Sequence, residues 1–448
     1  MTPDVLDRFP LLTPAGAALL RRLAEHPHAP RYTHPGVDRL TPAGRRAAAD
    51  YEAQLAAAPE WAPAQPPAWL AEFAAECYRR VPVYRRRGAA PEDFAAIPPI
   101  SRAALAREPW AFVPDDAPLD GLVVYNTSGT TGHPLAIPTH ADTLALYLPL
   151  LRAALRLHGV TLPAGPDQVA VMVVAFQQRT YTYAAVSAVL EQAGVVKINL
   201  HPDQWRAPAD RARFLDDCAP AVVTGDPVAF AELAALPVTH RPRALVSTAL
   251  ALAPGLAAAL AERFACPVVD LYSLNESGPV AVRVGGAFQV LPPRLWVELL
   301  DEAGQPCPPG ARGEITLTGG FNPYLPLLRY RTNDFARVDV RAGAARLVDL
   351  EGRPPVVFRG QAGRRVNSVD VSLALRDLPL AQYTLHQRAD GALVLRLAAG
   401  SGAVVAEREL RARLEALFGP GHALTIDTPA RLAAPAGKLL QFTTELAD

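Results

Sequence analysis

Lysine is nearly absent from this sequence. Among the 44 basic residues of the 448-residue chain, only Lys197 and Lys438 are lysines, and all the others are arginines. A codon bias against lysine explains most of this imbalance. A compact ammonium on a flexible stem can act where a planar guanidinium cannot, so the two lysines that remain are of interest as functional residues.

Cysteine is also scarce. The four cysteines lie far apart in the chain and form no C-x-x-C pair; they are Cys77, Cys218, Cys266 and Cys307. This spacing indicates neither a disulfide framework nor a zinc cluster. We therefore expect reduced thiols.

No excess of either charge is present. The formal net charge is zero and the pI is about 7.2, so the composition does not indicate a nucleic acid or a charged surface as partner. The N-terminus lacks a basic start followed by an apolar segment, and no uninterrupted apolar run is long enough to cross a bilayer. We expect a cytoplasmic protein that acts on a small molecule, without a membrane or a nucleic acid as partner.

The chain is longer than one hydrophobic core usually organises, which predicts a large domain and a smaller one. In the first hundred residues, helical stretches broken by proline begin near Thr13 and Ala68, and we expect them to cover the main domain. From Gly121 the runs GLVVY, QVAVMVVAF, VVKINL, AVVT, ALVST and CPVVDLY predict buried strands that alternate with amphipathic segments. This alternation predicts a layered α/β domain.

The pattern changes twice towards the C-terminus. After Glu298 it predicts β-hairpins, including GEITLTGG and ARLVDL. From Gly352 it predicts a small αβ unit with strands YTLHQR and ALVLRL, a helix VAERELRARLEALF and a last strand ALTID. The predicted boundaries are therefore a large domain over 1–351, with a helical segment to about 115, and a small domain over 352–448.

The strongest local motif follows the predicted strand GLVVY. It consists of Thr127, Ser128, Gly129, Thr130, Thr131 and Gly132, followed by His133 and Pro134. Two glycines and four hydroxyl side chains offer backbone N–H groups and hydroxyls to the oxygens of a polyphosphate. The Gly-Lys-Ser/Thr ending of a Walker loop is absent. A flexible surface loop is the alternative for this segment taken alone.

Two further motifs place an acid after a strand. In the first, Tyr272 at the end of PVVDLY could stack on a purine, and Glu276 could hold a hard cation against phosphate oxygens. A solvated loop carboxylate is the alternative for Glu276. In the second, Asp334 follows the basic strand RYRTN and could accept hydrogen bonds from a ribose diol, with an ion pair to Arg331 as the alternative.

The last motif is Pro435-Ala436-Gly437-Lys438 near the C-terminus. When a carboxylate attacks the α-phosphorus of ATP two anions must meet, and a mobile cation at the reacting centre stabilises the developing charge. Lys438 suits this role. An exposed solubilising lysine is the alternative.

In this order the four motifs resemble the adenylate-forming superfamily of acyl-CoA synthetases, peptide-synthetase adenylation domains and luciferases. The nearest likeness is the phenylacetate-CoA ligase family, through YRRVPVY from Tyr78, IPPIS from Ile97, the SGTTG motif and the final Gly437-Lys438. The resemblance implies an α/β fold: a large multi-subdomain N-terminal domain with a β-rich subdomain, and a small, mobile α+β C-terminal domain that carries the catalytic lysine.

The resemblance also implies site residues. The segment from Thr127 to Gly132 would bind the β- and γ-phosphates, and Ser247 and Thr248 would also lie at the nucleotide. Tyr272 would stack on adenine, Glu276 would bind Mg²⁺, Asp334 would bind the ribose, Arg353 would lie at the domain boundary, and Lys438 would be the catalytic lysine. The implied cofactors are ATP and Mg²⁺, with CoA as the acceptor.

The chain departs from the family pattern at several positions. The Gly-Arg-x-Asp hinge becomes Gly352-Arg353-Pro354-Pro355, and proline restricts φ where the chain is expected to rotate. His133 replaces a frequent lysine, and Ser273 and Asn275 replace the usual Gly and Thr. The hinge change puts the second half-reaction in question, whereas the other changes are compatible with activity.

The family's acid pocket lies along the segment after the phosphate loop. Here it would include Phe176, Arg179, Tyr181, Tyr183 and Ala249, whose aromatic rings suit a planar acid and whose arginine suits a polar substituent. The tyrosines could equally be packing residues.

Three functional hypotheses follow. The first is a ligase that joins an aromatic or related carboxylic acid to CoA, releasing AMP and PPi. The second passes the acyl group to a carrier protein or an amine, and the third is a non-catalytic nucleotide-binding homologue. A homodimer remains open as an assembly.

Overall fold

The fold was obtained as a computed structural model. It describes residues 3–126, 135–176, 180–291, 293–341, 344–351, 357–367, 371, 374–375, 378, 380, 383–397, 406–429, 432 and 441–446. No helix within these ranges is both long and apolar enough to traverse a bilayer.

The helices of the described residues are α1 Pro3–Arg8, α2 Pro14–Ala24, α3 Pro42–Ala57, α4 Trp69–Arg80, α5 Pro82–Arg85, α6 Arg102–Arg107, α7 Ala141–Leu144, α8 Tyr147–Arg156, α9 Asp210–Cys218, α10 Pro227–Ala235, α11 Pro254–Phe264 and α12 Glu407–Phe418. Short 3₁₀ helices span Phe94–Ala96, Pro109–Phe112, Pro202–Gln204 and Gln361–Gly363. Several helices begin with a side-chain cap followed by proline. Thr13 and Thr41, for example, each accept a hydrogen bond from a backbone N–H of the first turn.

The strands are β1 Leu122–Asn126, β2 Ala136–His140, β3 Val169–Ala175, β4 Tyr183–Ser187, β5 Ala193–Asn199, β6 Val222–Gly225, β7 Ala244–Ser247, β8 Val268–Leu274, β9 Gly278–Val284, β10 Ala287–Val290, β11 Leu295–Leu300, β12 Arg312–Gly319, β13 Leu327–Arg341, β14 Ala344–Glu351, β15 Val357–Arg359, β16 Arg365–Asn367, β17 Tyr383–Gln387, β18 Leu393–Leu397, β19 Leu424–Asp427 and β20 Phe442–Thr444.

One large sheet organises the described residues before β15. Its strand order is β11-β12-β13-β14-β10-β9-β8-β7-β6-β3-β5-β4. The strands β5, β3, β6, β7 and β8 are parallel to one another. From β8 onward, through β9, β10, β14, β13 and β12 to β11, each strand is antiparallel to its neighbour in the sheet. The parallel strands are continuous apolar runs because helices cover both of their faces.

Two clusters of buried side chains fill the space between the helices and the parallel strands. One cluster joins α2, α9, α10 and α11 to one face, and includes Phe214, Phe230 and Phe264. The other joins α3 and α8 to the opposite face, and includes Leu150 and Leu155. The N-terminal helices therefore cover the main sheet, as their amphipathic pattern predicts.

A smaller unit follows towards the C-terminus. Its sheet has the order β19-β18-β17-β20, and β15 and β16 form a separate hairpin. The helix α12 buries Leu410, Leu414 and Phe418 against Phe358 and the inner face of β17 and β18. The predicted α/β class, with a large domain and a smaller C-terminal one, is confirmed.

Two local predictions are wrong. The GLVVY run is a strand but not a buried one: among the strands of the described residues β1 pairs with β2 alone, and Val124 is 41% exposed. The ALTID run is not the last strand, because β20 follows it and pairs in parallel with β17. Both errors arise because the partner of a strand is set by tertiary structure, which a local apolar pattern does not contain.

Candidate functional site

The candidate site lies where the parallel strands end. Strands β3, β5, β6, β7 and β8 run in one direction, so their carboxyl ends meet at one edge of the sheet. Ligands of open α/β sheets bind at this edge. Phe176 follows β3 here, Thr248 follows β7, and Tyr272 lies near the end of β8.

The turn after β7 is strained and contains an unpaired hydroxyl. Ser247 is fully buried, and its Oγ has no hydrogen-bond partner among the described residues. The backbone N–H of Leu250 donates to the carbonyl of Thr248 at 2.8 Å, which forms a γ-turn around Ala249 with φ of 70°. A γ-turn with positive φ is rare and strained, and such strain concentrates at functional sites.

Tyr272 and Asp334 form a direct pair. The Tyr272 hydroxyl donates to Asp334 Oδ2 at 2.6 Å. Burial, and next the charge of Asp334, raise the pKa of Tyr272 well above its usual range, so the phenol keeps its proton. The two residues predicted to bind adenine and ribose are therefore neighbours, although 62 positions separate them in sequence.

An irregularity in β13 positions Asp334. The register between β12 and β13 shifts in this region, and Asn333 has φ of 61°. The Thr332 hydroxyl donates to the carbonyl of Ile315 at 2.8 Å and accepts from the backbone N–H of Asp334 at 3.1 Å. Bulges often redirect a side chain beside an active site. Arg331 pairs with Glu314 at 2.7 Å, so the ion pair considered for Asp334 does not form with this arginine.

Glu276 lies in the tight turn between β8 and β9, and it is only 3% exposed. The turn requires glycine at Gly278, where φ is 74° and the ring of Phe321 occupies the space of a Cβ atom. Arg102 Nη1 donates to Glu276 Oε1 at 2.6 Å, and the hydroxyl of Tyr330 donates to the same oxygen at 2.6 Å. Glu276 is therefore a buried, oriented carboxylate rather than a solvated loop residue.

Arg102 reaches Glu276 because of a backbone bridge. The N–H of Ile100 donates to the carbonyl of Arg329 at 2.9 Å, and the N–H of Arg331 donates to the carbonyl of Ile100 at 2.8 Å. Ser101 then caps α6 by accepting from the N–H of Ala104 at 3.2 Å. Arg102 is the first residue of α6 and is therefore held beside β13 and Glu276.

The free oxygen of Glu276 fits a magnesium ion. Both donors contact Oε1, and Oε2 has no hydrogen bond among the described residues. Mg²⁺ in nucleotide-binding sites takes one or two carboxylates and receives its other ligands from phosphates and water. Within the described ranges, no group of three or more acidic, histidine or cysteine side chains is positioned to bind a metal, so Glu276 fits this mode and not an all-protein cage.

An aromatic group borders the site. Tyr181 and Tyr183 stack with ring centroids 6.1 Å apart, and Phe176 stacks on His201 at 5.9 Å. Tyr181 is 59% exposed, so part of its ring is accessible to solvent. These rings have the shape and polarity of a pocket wall for a planar molecule.

A family model for AMP-binding enzymes matches residues 65–322. The match covers more than half of the chain, including the turn that carries Glu276 and the Tyr272 position. The chain belongs to the AMP-binding enzyme family. The sequence matches no curated protein.

Solved structures share the fold of this AMP-binding enzyme. One is a crystal structure of 2-hydroxyisobutyryl-CoA ligase in the postadenylation state in complex with R3-HIB-AMP, with a TM-score of 0.60, 17% identity, and coverage of 93% of this chain and 91% of the ligase. An open conformation of 2-hydroxyisobutyryl-CoA ligase in complex with 2-HIB-AMP and CoA has a TM-score of 0.53, 18% identity, and coverage of 85% and 90%. At these identities the likeness shows the fold.

Several predicted site residues of this AMP-binding enzyme lie outside the described residues. They are Thr127, Ser128, Gly129, Thr130, Thr131, Gly132, Arg179, Arg353 and Lys438. Their roles remain predictions. Among the described residues, Tyr272, Asp334 and Glu276 lie together, and Ser247, Thr248, Ala249 and Phe176 lie at the same edge of the sheet.

Sequence reasoning assigned no role to four residues that the structure places at the site. Arg102 and Tyr330 contact Glu276, and the hydroxyl of Tyr125 donates to the carbonyl of Asn275 at 2.7 Å. The fourth is Lys197, whose Nζ lies 3.5 Å from the centroid of the Tyr181 ring. The rarity of lysine singles out Lys197, but no local pattern connects Arg102 to a glutamate 174 positions away.

Proposed function

We propose that this enzyme uses ATP to convert a carboxylic acid into an acyl-adenylate with release of PPi, and then transfers the acyl group to CoA. The observation that carries the proposal is the cluster at the end of β8, where the Tyr272–Asp334 pair lies beside the buried Glu276. Family membership supports it, as do the acyl-AMP and CoA named for the 2-hydroxyisobutyryl-CoA ligase structures.

The nucleotide would bind across the ends of β7 and β8. The Tyr272 ring would stack on adenine and Asp334 would accept from the ribose hydroxyls, with the Tyr272 hydroxyl holding Asp334 in place. The hydroxyl of Ser247, which has no partner within the described ranges, would gain one here, and Thr248 would contact the nucleotide beside it. A buried hydroxyl without a partner is costly, and a ligand would remove that cost.

Glu276 Oε2 would hold Mg²⁺ while Arg102 and Tyr330 fix the carboxylate through Oε1. The bound ion would supply electrostatic stabilisation of the phosphate oxygens. Partners that orient a metal ligand in this way control its geometry and affinity. Burial, and next the charge of Glu276, raise the pKa of Tyr330 well above its usual range, so this phenol remains a donor.

The reaction itself joins two anions. An oxygen of the substrate carboxylate attacks the α-phosphorus, the bond to the β-phosphate oxygen breaks, and PPi leaves. The ammonium of Lys438 would stabilise the charge that develops on the α-phosphate oxygens, and the segment from Thr127 to Gly132 would bind the leaving phosphates. We place Lys438 on a small mobile domain over 352–448 that moves against a large domain over 1–351 between the two half-reactions.

The proposal extends to the kind of acid that is activated and to the acceptor of the acyl group. The stacked rings of Tyr181 and Tyr183 favour an aromatic or other planar acid. The Pro354-Pro355 sequence at the expected hinge supports a second candidate, in which the acyl group passes to a carrier protein or an amine. Mass spectrometry of the products, with CoA, a carrier or an amine supplied in turn, separates the two, since efficient thioester formation with CoA excludes the second.

The test of adenylation is carboxylate-dependent exchange between ATP and labelled PPi, without CoA, over a panel of aromatic, aliphatic and amino acids. We expect exchange with a subset of acids, and its loss in Glu276→Gln. Glu262→Gln, an exposed glutamate on α11, is the matched control and should exchange normally. ATP binding without exchange for any acid would instead support the non-catalytic hypothesis.

A further inference from the structure

Lys197 lies in an unusual place for a lysine. On β5 it is opposite Tyr183 of β4 and Val173 of β3, so the three side chains share one face of the sheet. Val173 and Val195, its neighbours on that face, pack against the buried cluster around α8. The surroundings of the ammonium are therefore aromatic and aliphatic.

The ammonium has no acidic partner in the part of the chain that the structure describes. Its contact is with the face of Tyr181, 3.5 Å from Nζ to the ring centroid. Tyr181 and Tyr183 are both uncharged near neutral pH, because a phenol ionises only near pH 10 and burial raises the pKa of Tyr183 further, to about 12. The same burial lowers the pKa of Lys197 to about 8. A half-buried cation without an anion is unfavourable in the free protein.

Lys197 also lies near the proposed reaction centre. It is two residues before the carboxyl end of β5, at the sheet edge where the nucleotide would bind. The Tyr125 hydroxyl donates to the carbonyl of Asn275 at 2.7 Å, beside Glu276 in the turn after β8. Lys197 on β5 and the turn that carries Glu276 after β8 therefore lie at the same edge of the sheet.

We propose that Lys197 binds a second anionic group of the substrate, so that the acid activated here is a dicarboxylic acid. One carboxylate would react with ATP, and the other would form an ion pair with Nζ above the Tyr181 ring. This inference rests on the proposed function, because it defines the acid for which the pocket is built. An ion pair would supply the missing anion, and a compact ammonium can lie on a ring while donating outward.

The first experiment compares matched acids in the exchange assay. Each dicarboxylate of a panel (succinate, glutarate, adipate, phthalate, isophthalate, terephthalate) is paired with its monoamide, which has nearly the same shape and no second charge. We expect kcat/KM to favour at least one dicarboxylate, and Lys197→Met to lower its value about 30-fold or more, a much larger loss than that for the monoamide. Lys197→Arg should retain part of the preference, because it keeps the charge.

The matched control is Arg243→Met. Arg243 is an exposed cation just before β7, at the opposite edge of the same sheet, so its loss changes the net charge equally without reaching the pocket. We expect its selectivity to equal that of the unaltered enzyme. Equal losses for dicarboxylate and monoamide in Lys197→Met, or an unchanged preference, would overturn the proposal.

The second experiment does not depend on turnover. Reductive methylation with ¹³C-formaldehyde labels two lysines and the terminal amine of the full chain, and Lys197→Arg identifies the Lys197 signal by its loss. We expect saturating dicarboxylate, added with ATP, to shift that signal and raise its apparent pKa, and the monoamide to do neither. A Lys197 signal that no dicarboxylate moves would refute the proposal; a shift without any exchange activity would refute only the proposed reaction.

Discussion

The contact between Arg102 and Glu276 can be tested by removing each partner. The Arg102 side chain is 17% exposed and that of Glu276 is 2% exposed, with 2.6 Å between Nη1 and Oε1. Breaking a buried pair by removing one partner costs about 3–5 kcal/mol. Because Tyr330 still donates to Oε1, we expect Arg102→Met to lower the free energy of unfolding by about 2–3 kcal/mol.

A double-mutant cycle isolates the pair. In Glu276→Gln, the guanidinium loses its carboxylate, and adding Arg102→Met to that variant should cost little more. We expect a coupling free energy of about 2 kcal/mol or more. The assay is urea unfolding followed by tryptophan fluorescence. It reports on the large domain, because all the tryptophans precede Gly352 in sequence: Trp61, Trp69, Trp110, Trp205 and Trp296.

Arg102→Met also tests whether Arg102 orients the Glu276 carboxylate for Mg²⁺ binding. Without Arg102, one donor no longer fixes the carboxylate, and the Mg²⁺ concentration for half-maximal exchange should rise about 10-fold or more. Arg107→Met, an exposed arginine at the end of the same helix, is the control and should change neither quantity. Additive effects within about 0.5 kcal/mol, together with an unchanged Mg²⁺ dependence, would refute the reasoning.

Three further predictions follow from single residues. Lys438→Ala should abolish adenylation while ATP binding, measured by calorimetry, stays nearly intact; a normal rate of exchange would contradict the assigned role. Burial raises the pKa of Asp38 to about 6, although its Oδ2 accepts from the N–H of Ala188. The buried charge therefore costs stability at pH 7, where Asp38 is ionised, and not at pH 4. We expect Asp38→Asn to stabilise the protein by about 1–2 kcal/mol at pH 7 and by nothing at pH 4. A gain of equal size at both pH values in urea unfolding would contradict this cause. Burial lowers the folded-state pKa of Lys197 to about 8. Lys197→Met should therefore be more stable than the unaltered protein below pH 8, and the difference in unfolding free energy should vanish as the pH rises towards 10.5. A difference that does not change with pH would argue against desolvation as the cause.

Local sequence patterns predict where helices and strands form better than they predict which strands pair. Helix α2 begins where Thr13 caps it, and the apolar runs of β3 and β5 are strands, because these features depend on neighbouring residues. The exposure of β1 and the parallel pairing of β20 depend on segments distant in sequence, and the patterns do not contain them.

The candidate site follows the same division. Tyr272, Glu276 and Asp334 could be identified from the order of their motifs, although the prediction that Asp334 follows a strand is wrong, because β13 continues through it to Arg341. The residues that orient Glu276 could not, because Arg102 depends on a backbone bridge from Ile100 to β13 and Tyr330 is a fully buried residue between two arginines of β13. The contacts that orient a site residue are set by tertiary structure. A sequence motif can identify the site residue, but not the distant residues that hold it.

The proposed reaction bonds a carboxylate oxygen to the α-phosphorus of ATP. The most direct measurement uses an acid that supports exchange, with both carboxylate oxygens labelled with ¹⁸O, and mass spectrometry of the nucleotide after transfer to the acceptor. An acyl-adenylate requires one ¹⁸O in AMP, because the acceptor attacks the acyl carbon and the bridging oxygen leaves with AMP. Unlabelled AMP, or label in inorganic phosphate with ADP as the nucleotide product, would show that no acyl-adenylate forms.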